Sequence, residues 1–130
     1  MSDAIDAVER AAYLLMTADP APSAPVYQDV PDNAPPPVII IGDVDWEPIG
    51  AKGDPDCTGR IEMVTVHDGD ARKPLLAMQG EVFDRMADAR IDVSGWRIFF
   101  TFTGGNAVLT PDGAGYVGMQ NFTWLATKTA

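Results

Sequence analysis

Five carboxylates hold the most chemical promise: Asp43, Asp45 and Glu47 alternate in "GDVDWEPIG", and Asp54 and Asp56 follow in "GDPDCTG". Calcium or magnesium would need several of their oxygens to converge on one point. Alternate residues on a straight strand point the same way about 7 Å apart and do not converge. No DxDxDG loop is present, so the row reads as a solvated or pore-facing wall and not as a metal site. Cys57 and His67 could pair as nucleophile and base, but only if a hairpin joined them and a third group oriented the base. No such third residue stands out, which leaves a free thiol and an ordinary strand histidine. "GAGYVG" (Gly113, Gly115, Gly118) matches the letters of a dinucleotide fingerprint, whose glycines must follow a strand and open a helix. Here they follow a turn and enter a strand, as hairpin glycines do. The reading is of a chain with no catalytic residues, no cofactor and no metal.

The elements that carry these residues follow from pattern. Asp3 is placed to cap a helix running to about Thr17, with Ile5, Val8, Ala12 and Leu15 on one face. Residues 20–37 hold seven prolines, which fix φ and remove donors, so an extended arm is expected there, neither helix nor central strand. Val38 to about Glu47 reads as a strand. Alternation sets Val38, Ile40, Gly42, Val44 and Trp46 on one face and Ile39, Ile41, Asp43, Asp45 and Glu47 on the other. Its first half, Val38 to Ile41, is apolar on both faces, as if covered twice; its second half runs out into solvent. Residues 48–59 form a long glycine- and proline-rich hairpin loop.

Arg60 to His67 is the next strand, with Val64 and Val66 opposite Ile61 and Met63. A helix follows, capped by Asp68 or Asp70, with Pro74 in its first turn and Leu75, Val82, Phe83, Met86 and Ala87 as its apolar stripe. Strands are then expected over the run containing Ile98, Phe100 and Phe102, near Val108, and from Tyr116 to about Thr127, with a "TPDG" turn at 110–113. The order αββαβββ is an α+β domain: one domain over 1–130, a mostly antiparallel sheet with two helices on one face.

Charge narrows the partners. With 19 acidic and 9 basic residues, the net charge of -10 opposes general binding to phosphate backbones or anionic membranes. A protein partner fits better. The imbalance is concentrated: residues 19–56 carry eight acids and one base, Lys52. A single cysteine, no cationic and apolar leader at Met1 and no apolar run of about 20 residues lead to the expectation of a soluble, cytosolic chain without signal peptide or anchor.

Two stretches are specific beyond composition. The arm "VYQDVPDNAPPPV" (Val26, Tyr27, Asp29, Pro31, Ala34, Pro35, Pro37, Val38) and the closing "LTPDGAGYVGMQNF" (Leu109, Pro111, Asp112, Gly113, Tyr116, Gly118, Phe122) resemble the tail-completion or tail-terminator family of long-tailed bacteriophages and gene transfer particles. The resemblance spans nearly the whole chain. Departures are the second helix, with Pro74 and Gly80, and the "PIGAKGDPDCTG" loop.

The resemblance implies a structural virion protein, assembled in a bacterial host and located at the head-proximal end of the tail. It implies a ring of six subunits on the last disc of tail-tube protein, ending polymerisation and meeting a head-side connector. On that basis Val38, Ile39, Ile40 and Ile41 are assigned to the subunit interface. Asp43, Asp45 and Glu47 are assigned to the lumen, where DNA passes unbound. Pro48, Ile49, Lys52, Asp54 and Asp56 are assigned to the loop that contacts the tube. A head-side neck adaptor, a small metal-dependent hydrolase and a monomeric binding module are the alternatives.

Overall fold

The computed structural model describes residues 2–29, 34–50 and 55–129. In chain order the elements are α1 (Ser2–Thr17), β1 (Val26–Tyr27), β2 (Val38–Pro48), β3 (Cys57–Asp68), α2 (Lys73–Met86), β4 (Arg90–Val93), β5 (Trp96–Leu109) and β6 (Gly115–Lys128). The six strands form one sheet in the order β1-β2-β3-β6-β5-β4. Among the described residues only the β1–β2 pair is parallel. Both helices cover the same face, since buried residues of each belong to one core cluster with Ile39, Ile61, Phe100 and Trp124. The α+β expectation holds.

The two helices reach the sheet by different means. The buried stripe of α1 is Ala4, Ala7, Val8, Ala11, Ala12 and Met16, while Ile5 and Leu15 are only half-buried. Alanines let the helix lie close to the strands, so small residues and not the larger aliphatics make the contact. Asp3 sits within the first turn and not before it, where its charge favours the helix dipole. Helix α2 buries Leu75, Met78, Val82 and Met86 and has Pro74 in its first turn. Neither Asp68 nor Asp70 caps it: the N-cap is Arg72, with no side-chain hydrogen bond. Phe83 is exposed and meets Phe102 edge-on, with ring centroids 5.2 Å apart.

The expected element order changes to αβββαβββ. Within the proline arm, Val26 and Tyr27 pair with Ile39 and Ile40, an edge position where proline's missing donors do no harm. Arg90–Val93 forms a strand that the sequence reading omits, pairing with Trp96–Phe99 through a turn in which Ser94 and Gly95 take positive φ. The runs expected as separate strands around Phe100 and Val108 are one strand, continuous through a register shift between Phe102 and Gly104. In β6, Gly118, Gln120, Phe122, Trp124 and Ala126 face the helices, as the alternation predicts. The hairpin loop shrinks to 49–56, because β2 extends through Pro48 and β3 begins at Cys57.

Candidate assembly surface

The face of the sheet away from the helices carries most of the residues singled out in the sequence, and a bulge decides which they are. Up to Ile41 the β2–β3 partners run Val38↔Val66 to Ile41↔Met63; beyond it they run Val44↔Ile61 to Pro48↔Cys57, one residue out of step. Gly42 and Asp43 together oppose Glu62, an extra residue of the kind that defines a β-bulge. Strict alternation therefore fails. Val44 and Trp46 join Ile39 and Ile41 on the helix side, and Asp45 and Glu47 join Val38 and Ile40 on the outer side. The expected face of Ile39, Ile41, Asp43, Asp45 and Glu47 is corrected accordingly.

Val38, Ile39 and Ile41 are buried within the protomer itself. Ile39 and Ile41 join the core cluster under the helices, Val38 is covered on the outer side, and of the four residues assigned to an interface Ile40 keeps the most exposed surface. Val38 lies at one end of a cross-strand row Val38–Val66–Val117–Val108, and Ile40 begins the next, Ile40–Val64–Met119–Asn106. One end of the outer face is thus apolar, with Val108 and Met119 exposed. Pro36 and Val66 also line a cavity of about 420 Å³ at this end with His67, Thr110, Pro111 and Gly115.

The middle of the outer face is acidic. Asp43, Asp45 and Glu62 surround a shallow depression with Arg60 and Asn121, and Arg60 Nη2 lies 3.2 Å from Asp45 Oδ2. That pair is largely exposed, so it stabilises the fold by well under 1 kcal/mol. Among the described residues no three histidine, cysteine or acidic side chains stand where they could hold a metal ion. Of the loop residues assigned to a tube contact, Lys52 and Asp54 lie outside the described residues. Pro48 ends β2, Ile49 donates its N–H to the Asp56 carbonyl at 3.2 Å, and the Asp56 carboxylate accepts the Lys128 N–H at 3.0 Å. Asp56 is therefore engaged in closing the end of the sheet.

The two residues with nucleophile-and-base chemistry are kept apart. Cys57 and His67 are ten residues apart on the single strand β3, which places them roughly 33 Å from each other. Burial pushes the Cys57 thiol up, with the nearby N-terminal charge opposing it and Asp56 adding to it, the opposite of activation. The glycines of "GAGYVG" enter β6, and among the described residues no helix follows them. Asp112 is held below the usual carboxylate range by the Thr110 hydroxyl, 2.6 Å away, and by the Ala114 N–H. It locks the 110–113 turn. No helix of the described residues is long and apolar enough to cross a membrane.

What sequence reasoning missed are residues whose meaning lies in register: Glu62 beside the acidic row, Val64, Val66 and Val117 in the apolar rows, and Arg90 on the unrecognised β4. Alternation in β3 and β6 gives each residue a side of its own strand, but not its neighbour across the sheet.

No protein-family model matches this chain, and no curated protein matches it. Among solved structures, the fold is shared with a chain of a structure titled "Virion of native gene transfer agent (GTA) particle", with a TM-score of 0.84 and 15% sequence identity. The likeness covers 97% of this chain and 98% of that one.

Proposed function

We propose that this chain is a structural virion protein that closes the head-proximal end of a phage-type tail tube as a ring, with six subunits implied by the family resemblance. The observation that carries the reading is the end-to-end likeness in fold to a chain of a gene transfer particle's virion, with almost nothing left over in either chain. It agrees with the resemblance of the "VYQDVPDNAPPPV" and "LTPDGAGYVGMQNF" segments to tail-terminator proteins. In this reading the outer face of the sheet, with Asp43, Asp45, Glu47 and Glu62, turns toward the lumen, where carboxylates repel passing DNA. Residues 49–56 meet the tail-tube protein, and the opposite end of the ring meets the head-side connector.

The test is the mass of the purified protein by light scattering behind a sizing column, with and without its tail-tube protein. A ring of about six copies, free or formed on the tube, is the expected result. Binding to head-side connector protein with indifference to the tube would instead make the chain a neck adaptor of the same particle. A monomer indifferent to both would overturn the reading.

A further inference from the structure

The sheet has two open edges, and they match. On one side β1 covers only Ile39 and Ile40 of β2, so the backbone of β2 from Gly42 to Glu47 has no strand beyond it among the described residues. On the other side β4 is the last strand. An open edge is a template for another strand. The register ties the two edges together: one row of the outer face runs Glu47–Thr58–Leu125–Phe99–Arg90 across five strands. It begins with an exposed carboxylate and ends with an exposed guanidinium. Among the described residues neither Glu47 nor Arg90 makes a salt bridge; Arg90 lies over the Phe99 ring, 4.7 Å from its centroid.

Each edge is also two-sided in the same sense. On the helix side, Trp46 is 47% exposed on β2, and the row Trp46–Gly59–Trp124–Phe100 leads to Ala89, just before β4, which is only partly buried against the core. On the outer side the charges are Asp45 and Glu47 at one edge; at the other they are Arg90 and Asp92, the latter already paired with Arg97 Nε at 3.0 Å. We infer that the β2 edge of one copy docks on the β4 edge of a second copy, head to tail and with the two strands parallel, with Glu47 facing Arg90 on the outer side and Trp46 facing Ala89 on the helix side. Two β2 edges would set carboxylate against carboxylate, which disfavours a symmetric pair. Opposite edges at one height on the sheet give a heterologous contact, and such contacts close into rings when the rotation permits. Charges placed only to blunt an edge need no particular sign; here the signs are opposite along a single row.

This inference rests on the reading of the chain as a ring-forming protein, and the experiment separates the two. Glu47→Cys and Arg90→Cys are combined in a Cys57→Ala background and oxidised mildly, with and without tail-tube protein. Alongside, Glu47→Arg, Arg90→Glu and the double exchange are weighed by light scattering. All these positions except Cys57 are exposed, and circular dichroism checks the fold of each variant. The expected result is a covalent ladder of dimer, trimer and higher species, absent from either single cysteine variant. Each charge reversal weakens association by about tenfold and the double exchange recovers most of it. Assembly of the unmodified chain with no ladder and no effect of charge reversal overturns this contact and leaves the ring standing. An unmodified chain that stays monomeric, alone and with the tube, overturns both.

Discussion

Arg85 Nη1 donates to the Met16 carbonyl at 3.0 Å, joining the middle of the second helix's last turn to the end of the first. The same guanidinium also reaches the carbonyls of Leu15, Ala18 and Pro20. A helix end leaves carbonyls without partners and carries partial negative charge; one arginine satisfies both needs for α1. It also fixes where the proline arm departs, and so how β1 reaches the edge of β2.

Arg85→Met keeps the apolar stem and removes the donors. Hydrogen bonds to charged groups are worth about 1.5–3 kcal/mol, and this site is partly exposed, so a loss of about 2 kcal/mol is expected. For a domain of this size that lowers Tm by roughly 6–12 °C. Thermal unfolding followed by circular dichroism measures it; an unchanged Tm would show that water replaces the arginine.

Neighbouring isoleucines in β2 should respond in opposite ways. Ile39 is fully buried, so Ile39→Asp places an unpaired charge in the core at a cost of roughly 4 kcal/mol or more. Ile40 lies on the outer face and is only half-buried, so Ile40→Asp leaves a folded protomer. Urea unfolding of both variants gives the contrast. Loss of assembly in Ile39→Asp would report on folding, not on subunit contact.

Asp45→Asn removes the ion pair with Arg60, whose partners are 68% and 64% exposed. A stability change below about 0.5 kcal/mol is expected. A shift in assembly or in DNA passage with unchanged stability would assign the acidic row to the virion and not to the fold.

Cys57 gives the pH dependence. Its folded-state pKa lies above the ordinary thiol value of 9.0 because burial disfavours the thiolate. The thiol therefore supports the fold fully below 9.0, and that contribution declines as pH rises through the higher folded value. Cys57→Ala should flatten stability against pH in the alkaline range, as measured by chemical denaturation at several pH values. In the native protein a thiol reagent should react with Cys57 at the rate of local opening.

The sequence carried the fold wherever one face of an element is plainly apolar. The alternation of Ile98, Phe100 and Phe102, and of Gly118 through Ala126, gave the strands and the side on which helices lie. It failed where an outcome depends on a partner strand. Arg90–Val93 is short and half polar, and only pairing with Trp96–Phe99 makes it a strand. The first turn of α2 needed no acidic cap because Pro74 already sets the backbone. Of the surface proposed for assembly, the acids were legible by type, but their side of the sheet and their place opposite Arg90 came only with register.

The bulge at Gly42 and Asp43 has a further meaning for how this strand can vary. Removing Gly42 would leave Ile41, Asp43, Val44, Asp45, Trp46 and Glu47 in plain alternation, with the same residues inward and outward as now. The β2 strand is therefore buffered against a change of one residue in length: its apolar anchor at Ile39 and Ile41 and its charged end at Asp45 and Glu47 keep their orientations whether or not that residue is present. At this point the chain can lose one residue while the two surfaces it separates keep their orientations.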